Sequence, residues 1–285
     1  MRSRPQLTCR NDANAVLRVV MSERAIEPMA SNPRHAIYPD LEGKSVLVTG
    51  GGSGIGAAIV QAFTHQKARV AFIDIAEVPS RRLVETLAVA GFDIRFVAVD
   101  LRRVADLKHA IDAIAAEQGD IDILVNNAAD DERHATEPVT AEQFDACVAI
   151  NLRHSFFAAQ SVLPGMKAKG GGVILNFSSI SWMSATGGMA VYTAAKSAML
   201  GLTRSLARDF GPFNIRVNAI APGWVRTERQ LQKWWTPEAD QARLDAQCLK
   251  RWIEPDDIAR FALFLASDSA SACTAQHYVV DGGWV

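Results

Sequence analysis

The sequence predicts an α/β fold: a parallel, doubly wound sheet with helices on both faces. Three observations predict it. From Lys44 onward, short and continuously apolar β-rich runs alternate with helical stretches, and strands apolar on both sides belong to sheets covered on both faces. A glycine-rich turn, Thr49-Gly50-Gly51-Gly52-Ser53-Gly54-Ile55-Gly56, joins the first such run to the first helix. No composition shift or linker divides residues 41–285, which read as one domain.

Residues 45–49 form the first strand and 54–66 the helix after the glycines. A second strand spans 69–74 and a second helix 80–90. A third strand at 94–99 runs into Asp100 and Leu101, and a helix follows at 104–117. Residues 121–126 are the fourth strand, 140 to about 167 one long helix, and 172–178 the fifth strand. The sixth strand, 215–220, follows a helix over 189–210 that is rich in Ala, Leu, Met and Lys. Residues from Pro222 to about Trp252 are too long and too Trp-rich for a plain connector. Residues 1–40 carry Pro5, Pro28, Pro33 and Pro39, lack periodicity and read as a flexible extension. Met21 and Met29 also admit a later start.

The chain has 285 residues, 49% apolar and 21% charged, with a formal net charge of −1. That composition belongs to a folded, soluble protein. It carries no basic run suited to nucleic acid and no apolar stretch approaching the ~20 residues of a membrane span. The four cysteines (Cys9, Cys147, Cys248, Cys273) are scattered, and the six histidines show no ligand spacing. They read as reduced thiols of a cytoplasmic protein with no metal site.

Backbone without Cβ atoms turns tightly at the glycine run and can approach a pyrophosphate, which then sits at the positive end of a helix. Asp74 follows Gly56 by eighteen residues at the end of the second strand. A carboxylate there accepts hydrogen bonds from adenosine ribose hydroxyls and repels a 2′-phosphate, which favours NAD over NADP. No basic residue in the glycine run opposes this, although Arg81 and Arg82 lie nearby. Tyr192 and Lys196 share one helical face four residues apart. An ammonium one turn away favours the phenolate of a side chain whose reference pKa is about 10. Ser179, thirteen residues upstream, adds a hydroxyl suited to acid–base work on an alcohol or carbonyl.

These motifs, with Asn126-Asn127-Ala128, Pro222-Gly223 and Asp281-Gly282-Gly283, resemble the short-chain dehydrogenase/reductase family across residues 41–285. The resemblance implies a Rossmann-like seven-stranded parallel sheet of order 3-2-1-4-5-6-7, commonly assembled as a homotetramer. It implies that Gly50, Ser53, Gly54, Ile55 and Gly56 hold the pyrophosphate and ribose, that Asp74 selects NAD, and that Asp100 and Leu101 meet adenine. Asn127 and Ala128 would line the nicotinamide side, and Pro222, Gly223, Val225 and Thr227 would fix the carboxamide. Ser179, Tyr192, Lys196 and Asn151 would be catalytic, with Asn151 holding a water in a proton relay. Two positions depart from the pattern, where Ala129 and Ala275 replace glycines.

Three loops border the expected substrate: 130–134, 181–183 and 224–252. Asp131, Ser181, Trp182, Trp224 and Gln230 offer hydrogen bonds and indole faces suited to a sugar. A charged rim over a Trp-filled lid fits the same residues. Ala36–Lys44, Asp131–His134, Asn151–His154, Asn176–Trp182, Lys233–Pro237 and Ala246–Lys250 resemble bacterial NAD-dependent aldose 1-dehydrogenases, with D-xylose the favoured sugar. Two other readings are an NADP-linked carbonyl reductase, which Asp74 argues against, and a non-catalytic cofactor-binding protein, which the four catalytic-type residues argue against.

Overall fold

The computed structural model describes residues 36–285. Seven parallel strands make one sheet in the order β3-β2-β1-β4-β5-β6-β7. They are β1 (Ser45–Thr49), β2 (Arg69–Asp74), β3 (Arg95–Ala98), β4 (Ile123–Asn126), β5 (Gly172–Phe177), β6 (Ile215–Pro222) and β7 (His277–Val280). Between them lie α1 (Gly54–His65), α2 (Glu77–Val89), α3 (Val104–Gln118), α4 (Ala141–Val148), α5 (His154–Lys169) and α6 (Ala190–Phe210). Then α7 (Glu228–Lys233), α8 (Pro237–Ala246) and α9 (Pro255–Ala266) lie between β6 and β7.

Alternation along the strands builds two cores. Val46, Val48, Val125 and Phe72 pack with Ile59 and Phe63 of α1 and Ala262 and Leu263 of α9. Leu47, Ile73 and Leu124 face the other way, onto Leu107 and Ile111 of α3, Val162 of α5 and Leu206 of α6. All strands being parallel, their C-terminal ends share one side of the sheet. The order reverses between β1 and β4, and the loops leaving those two strands diverge to open a crevice.

Three departures from the sequence expectations bear on the site. The single helix expected over 140–167 is two: a capping box at Thr140 and Gln143 starts α4, and a π turn at Ala149–Arg153 separates α4 from α5. The π turn contains Asn151, and such bulges inside helices frequently sit at functional sites. Residues 36–40, assigned to the extension by composition, are tied down by side chains. Gln66 accepts from Tyr38 N (2.8 Å) and donates to Ala36 O (3.0 Å), and Asp40 accepts from Asp268 N (2.8 Å). The rest of the extension lies outside the described residues. The segment 222–252 contains the two helices α7 and α8, anchored by Arg243. That guanidinium, 1% exposed, bonds Asp240, Gln247 and the Arg251 carbonyl and stacks 3.8 Å over the Trp252 ring. Among the described residues no helix is long and apolar enough to cross a membrane.

Ala275 sits at φ 61°, leading into β7, in the left-handed region where a Cβ costs about 1–2 kcal/mol. Glycine removes that strain but gains more freedom in the unfolded chain, which takes back about half of it. Ala275→Gly is expected to stabilise the protein by about 0.5–1 kcal/mol and to raise Tm by about 2 °C in a thermal melt.

Candidate active site

The glycine turn is shaped by what its backbone touches. Gly50 (φ 68°) packs so closely on Ala128 that a Cβ would lie 2.7 Å from the Ala128 Cα. A Cβ on Gly56 would lie 1.8 Å from the Gly50 carbonyl oxygen. Asn127 fastens the turn to β4 by donating to the Thr49 and Gly50 carbonyls (3.1 and 2.9 Å), while the Thr49 hydroxyl accepts from the Asn127 and Ala128 amides. Ser53 adopts extended backbone just before α1, Gly54 (φ 53°) faces Thr227 across the crevice, and Ile55 packs on the core below. Ser53 is exposed and its side chain does not cap α1, so the amino end of that helix is open to an anion at Ser53.

Asp74 ends β2 beside the turn, accepting from Gly52 N (2.8 Å) and Ala76 N (2.9 Å), and its carboxylate oxygens keep lone pairs for further donors. Asp100 follows β3 and is chelated by Arg102, whose hydrogen bonds hold the carboxyl below its usual range; Leu101 is buried. Pro222 ends β6. Gly223 donates to the Val280 carbonyl and packs on Asp281, whose carboxylate gathers the Gly283 and Val285 amides. Val225 bridges to Ile253, and Thr227 caps α7. The glycine turn, Asp74, Asn127 and the 222–227 segment therefore border one crevice at the C-terminal ends of the strands.

Tyr192 lies in the first turn of α6 and Lys196 one turn on, both buried. Lys196 Nζ donates to the Phe177 carbonyl (2.9 Å) and lies 5.8 Å from the centre of the Tyr192 ring. The Ser178 hydroxyl donates to the Lys196 carbonyl (2.7 Å), so it is committed to the fold. Ser179, two residues past β5, instead keeps its hydroxyl on the Tyr192 side and caps the turn that follows by accepting from Ser181 N (3.2 Å).

Burial, reinforced by the Asp131 carboxylate, drives the Tyr192 phenol above its ordinary pKa, and the Ser179 hydrogen bond draws it only partly back. The lysine ammonium, 5.8 Å from the ring centre, is turned to the Phe177 carbonyl. Burial also brings Lys196 itself down to about 8. His154, 1% exposed beneath the site, is held neutral by burial and the Lys196 charge, with a pKa of about 3.

Asn151 is fully buried, and its amide braces the loop after β4. Its oxygen accepts from Asp130 N (3.0 Å), and its nitrogen donates to the Asp130 and Cys147 carbonyls (both 3.0 Å). Asn151 thus positions Asp130 with groups that a relay water would otherwise use. The substrate-side residues are likewise interlocked. Asp131 binds Arg229 (2.9 Å) and Gln230 (2.5 Å), and Gln230 accepts from the Trp224 indole (2.8 Å). Ser181 is buried, and the Trp182 ring packs on His277 of β7. Of the two readings those loops allowed, the interlocked lid is the one the contacts favour.

Two contributors lie outside the expected set. Cys147 stands one turn before Asn151, a spacing that could have marked it. Arg229 answers the run Asp130-Asp131-Glu132, three carboxylates in a row that call for a cation.

Comparison with known proteins agrees with this geometry. The family model described as enoyl-(acyl carrier protein) reductase matches residues 50–285. The chain is 47% identical over 249 residues to the D-xylose 1-dehydrogenase of Caulobacter vibrioides, covering 87% of this chain and 98% of that protein. It is 50% identical over 247 residues to a Rhizobium meliloti protein described as "Probable galactose dehydrogenase GalD", covering 86% and 96%. A solved 7α-hydroxysteroid dehydrogenase complexed with NADH and 7-oxo glycochenodeoxycholic acid superimposes with a TM-score of 0.82 at 34% identity, covering 86% of this chain and 96% of that one. A nucleotide crevice, a Ser–Tyr–Lys set on β5 and α6, and these matches along most of the sequence have one explanation: the chain belongs to the short-chain dehydrogenase/reductase family.

Proposed function

We propose that the protein is an NAD-dependent aldose 1-dehydrogenase that oxidises the anomeric hydroxyl of a pyranose, D-xylose foremost, to the lactone. The observation that carries this reading is the convergence of Ser179 with the buried Tyr192 and Lys196 where α6 is clamped to the end of β5, beside the nucleotide crevice. The two sugar-acting relatives support the substrate class, and solved neighbours holding NADH and NADPH support a nicotinamide dinucleotide as cofactor. Residues 41–285 act as one catalytic unit, in the cytoplasm and as a homotetramer. Light scattering on the purified chain reads the last of these directly.

A bound oxidised nicotinamide supplies the hydride acceptor. The chain supplies the proton chemistry. Ser179 Oγ donates to the anomeric oxygen and fixes its position, and the Tyr192 Oη takes the hydroxyl proton as the C–H bond at C1 breaks. Lys196 holds the start of α6 to β5 through the Phe177 carbonyl, which keeps the Tyr192 oxygen on Ser179. Gly50, Ser53, Gly54, Ile55 and Gly56 would hold the pyrophosphate. Asp74 would hold the adenosine ribose, Leu101 would meet adenine, and Val225 and Thr227 would meet the carboxamide.

NAD rather than NADP follows from Asp74. Arg81, a cation seven residues on from Asp74, pairs with Glu77 (2.9 Å) and sits over the Phe96 ring. Arg102 is closed on Asp100. Asp74→Ala should lower kcat/KM with NAD about tenfold or more, the loss of one or two charge-assisted hydrogen bonds, while the NADP rate rises. An unchanged NAD/NADP ratio in that variant removes Asp74 from cofactor selection.

The function itself is tested by following NAD reduction with D-xylose, D-galactose, L-arabinose, L-fucose, L-rhamnose and D-glucose. D-Xylose should give the highest kcat/KM. In Tyr192→Phe, kcat should drop by about 10²–10⁴, with the NADH dissociation constant within a few-fold of wild type by fluorescence titration. Turnover only on ketones or acyl thioesters would replace the sugar reading with a reductase.

A further inference from the structure

The lid and the catalytic tyrosine are joined through one arginine. Arg229, on α7, reaches across to the loop after β4 and meets its three consecutive acidic residues, Asp130, Asp131 and Glu132. Nε donates to Asp131 Oδ1 (2.9 Å), and Nη2 donates to Asp130 Oδ1 (2.6 Å) and Glu132 Oε2 (3.4 Å). The same loop is gripped from behind. Asn151, in the π turn, brackets the Asp130 main chain by donating to its carbonyl and accepting from its amide. Further contacts close the seam: Lys233 to Glu132 (2.5 Å), Gln230 to Asp131, and the Arg133 guanidinium 4.4 Å over the Trp234 ring.

We propose that Arg229 is a positioning residue that locks α7 onto the 130–132 loop and, by neutralising that loop's carboxylates, sets how readily Tyr192 gives up and takes a proton. The proposal rests on the acid–base role given to Tyr192 above. Its electrostatic half has a stated direction. The groups acting on Tyr192 are Asp131 and Asp130 from the loop, Cys147 from α4, Ser179 from the end of β5, and Lys196 one turn along α6 with neutral His154 behind it. Asp131 is the strongest of the charges that disfavour the phenolate, and Asp130 adds to it. A guanidinium bound to both offsets them. With α7 closed the carboxylates are masked; when it lifts they are bare, and the phenol holds its proton more tightly. Closure over substrate and competence for proton abstraction are then one event.

Exposed ion pairs add little to stability. The Arg229 side chain is 44% exposed, so losing it should leave Tm within about 2 °C of wild type. A merely structural surface bridge would move nothing else. The inference makes opposite predictions for the two sides of the pair. A negative charge raises the pKa of a nearby phenol, so Asp131→Asn should move the ascending limb of the kcat–pH profile for sugar oxidation to lower pH. Arg229→Gln removes the offsetting charge and should move that limb to higher pH, each by about half a pH unit or more. Arg229→Lys, which keeps the charge but loses the fork, should shift less than Arg229→Gln while KM rises. In 0.5 M NaCl, where the Debye length falls to roughly 4–5 Å, the Arg229→Gln and wild-type limbs should converge. Limbs in Arg229→Gln and Asp131→Asn that coincide with wild type, or that move in the same direction, overturn the proposal. Tyr192→Phe separates this from failure of the underlying reading: full turnover in that variant removes the tyrosine mechanism itself, whereas a dead Tyr192→Phe with an unmoved Arg229→Gln removes only the coupling.

Discussion

A lysine ammonium that is 2% exposed must find an acceptor, because an unpaired charge in that setting costs several kcal/mol. Lys196 finds the Phe177 carbonyl, at the last residue of β5. That hydrogen bond, with the Ser178 hydroxyl on the Lys196 carbonyl, clamps the first turns of α6 to the end of β5. Everything that must meet at the site depends on the clamp. Ser179 leaves the strand two residues after Phe177, and Tyr192 enters the helix four residues before Lys196, so clamping one pair delivers the other. The same burial lowers the lysine to about 8 and raises the phenol, which leaves both groups poised against their charged forms. Burial of this degree makes the site one of low dielectric, and any charge brought nearby acts strongly on it.

The sheet and the nucleotide crevice are legible in the sequence because backbone geometry dictates them. A Gly56 Cβ would collide with the Gly50 carbonyl, so the residue type at that position is forced. Buried parallel strands must be apolar on both faces, and the runs at 45–49, 69–74 and 121–126 show it. Ala275 marks the same logic from the other side: its positive φ is the conformation a glycine would hold freely, and the alanine tolerates it under strain. Less legible is whatever side chains decide. The π turn at 149–153 leaves helical periodicity almost intact. Residues 36–40 are tied down by Gln66 and Asp268, partners 28 to 228 positions away. Arg243, a charged residue at the heart of the 222–252 segment, is buried against the usual preference of its type.

Two groups of residues with similar sequence signatures have different roles in space. Asn127 and Asn151 both read as ligand-facing amides, yet their side chains hold backbone: Asn127 the glycine turn, Asn151 the Asp130 loop. An amide suits that work because one side chain can donate and accept at once and so fix a loop from both ends. The carboxylates at 130–132 read as sugar ligands, yet they are engaged by Arg229, Gln230 and Lys233. Position in sequence identifies which loop a residue occupies, whereas hydrogen-bond saturation identifies what remains free for a ligand.

This division has a consequence for specificity. The nucleotide half of the site is built from backbone and buried amides, where a single added methyl is felt through Gly50, Ala128 and Thr49 together. The substrate half is a seam of half-exposed ion pairs and stacked cations between the 130–134 loop and α7, where exchange of one residue alters stability little. In the proposed reading, a fold so arranged can change the sugar it accepts without touching the nucleotide half of the site. Because the seam's carboxylates also act on Tyr192, a change made there for substrate fit alters proton transfer as well. Specificity and acid strength are therefore coupled through Asp131, and only substitutions that preserve the balance between that carboxylate and Arg229 leave the tyrosine unchanged.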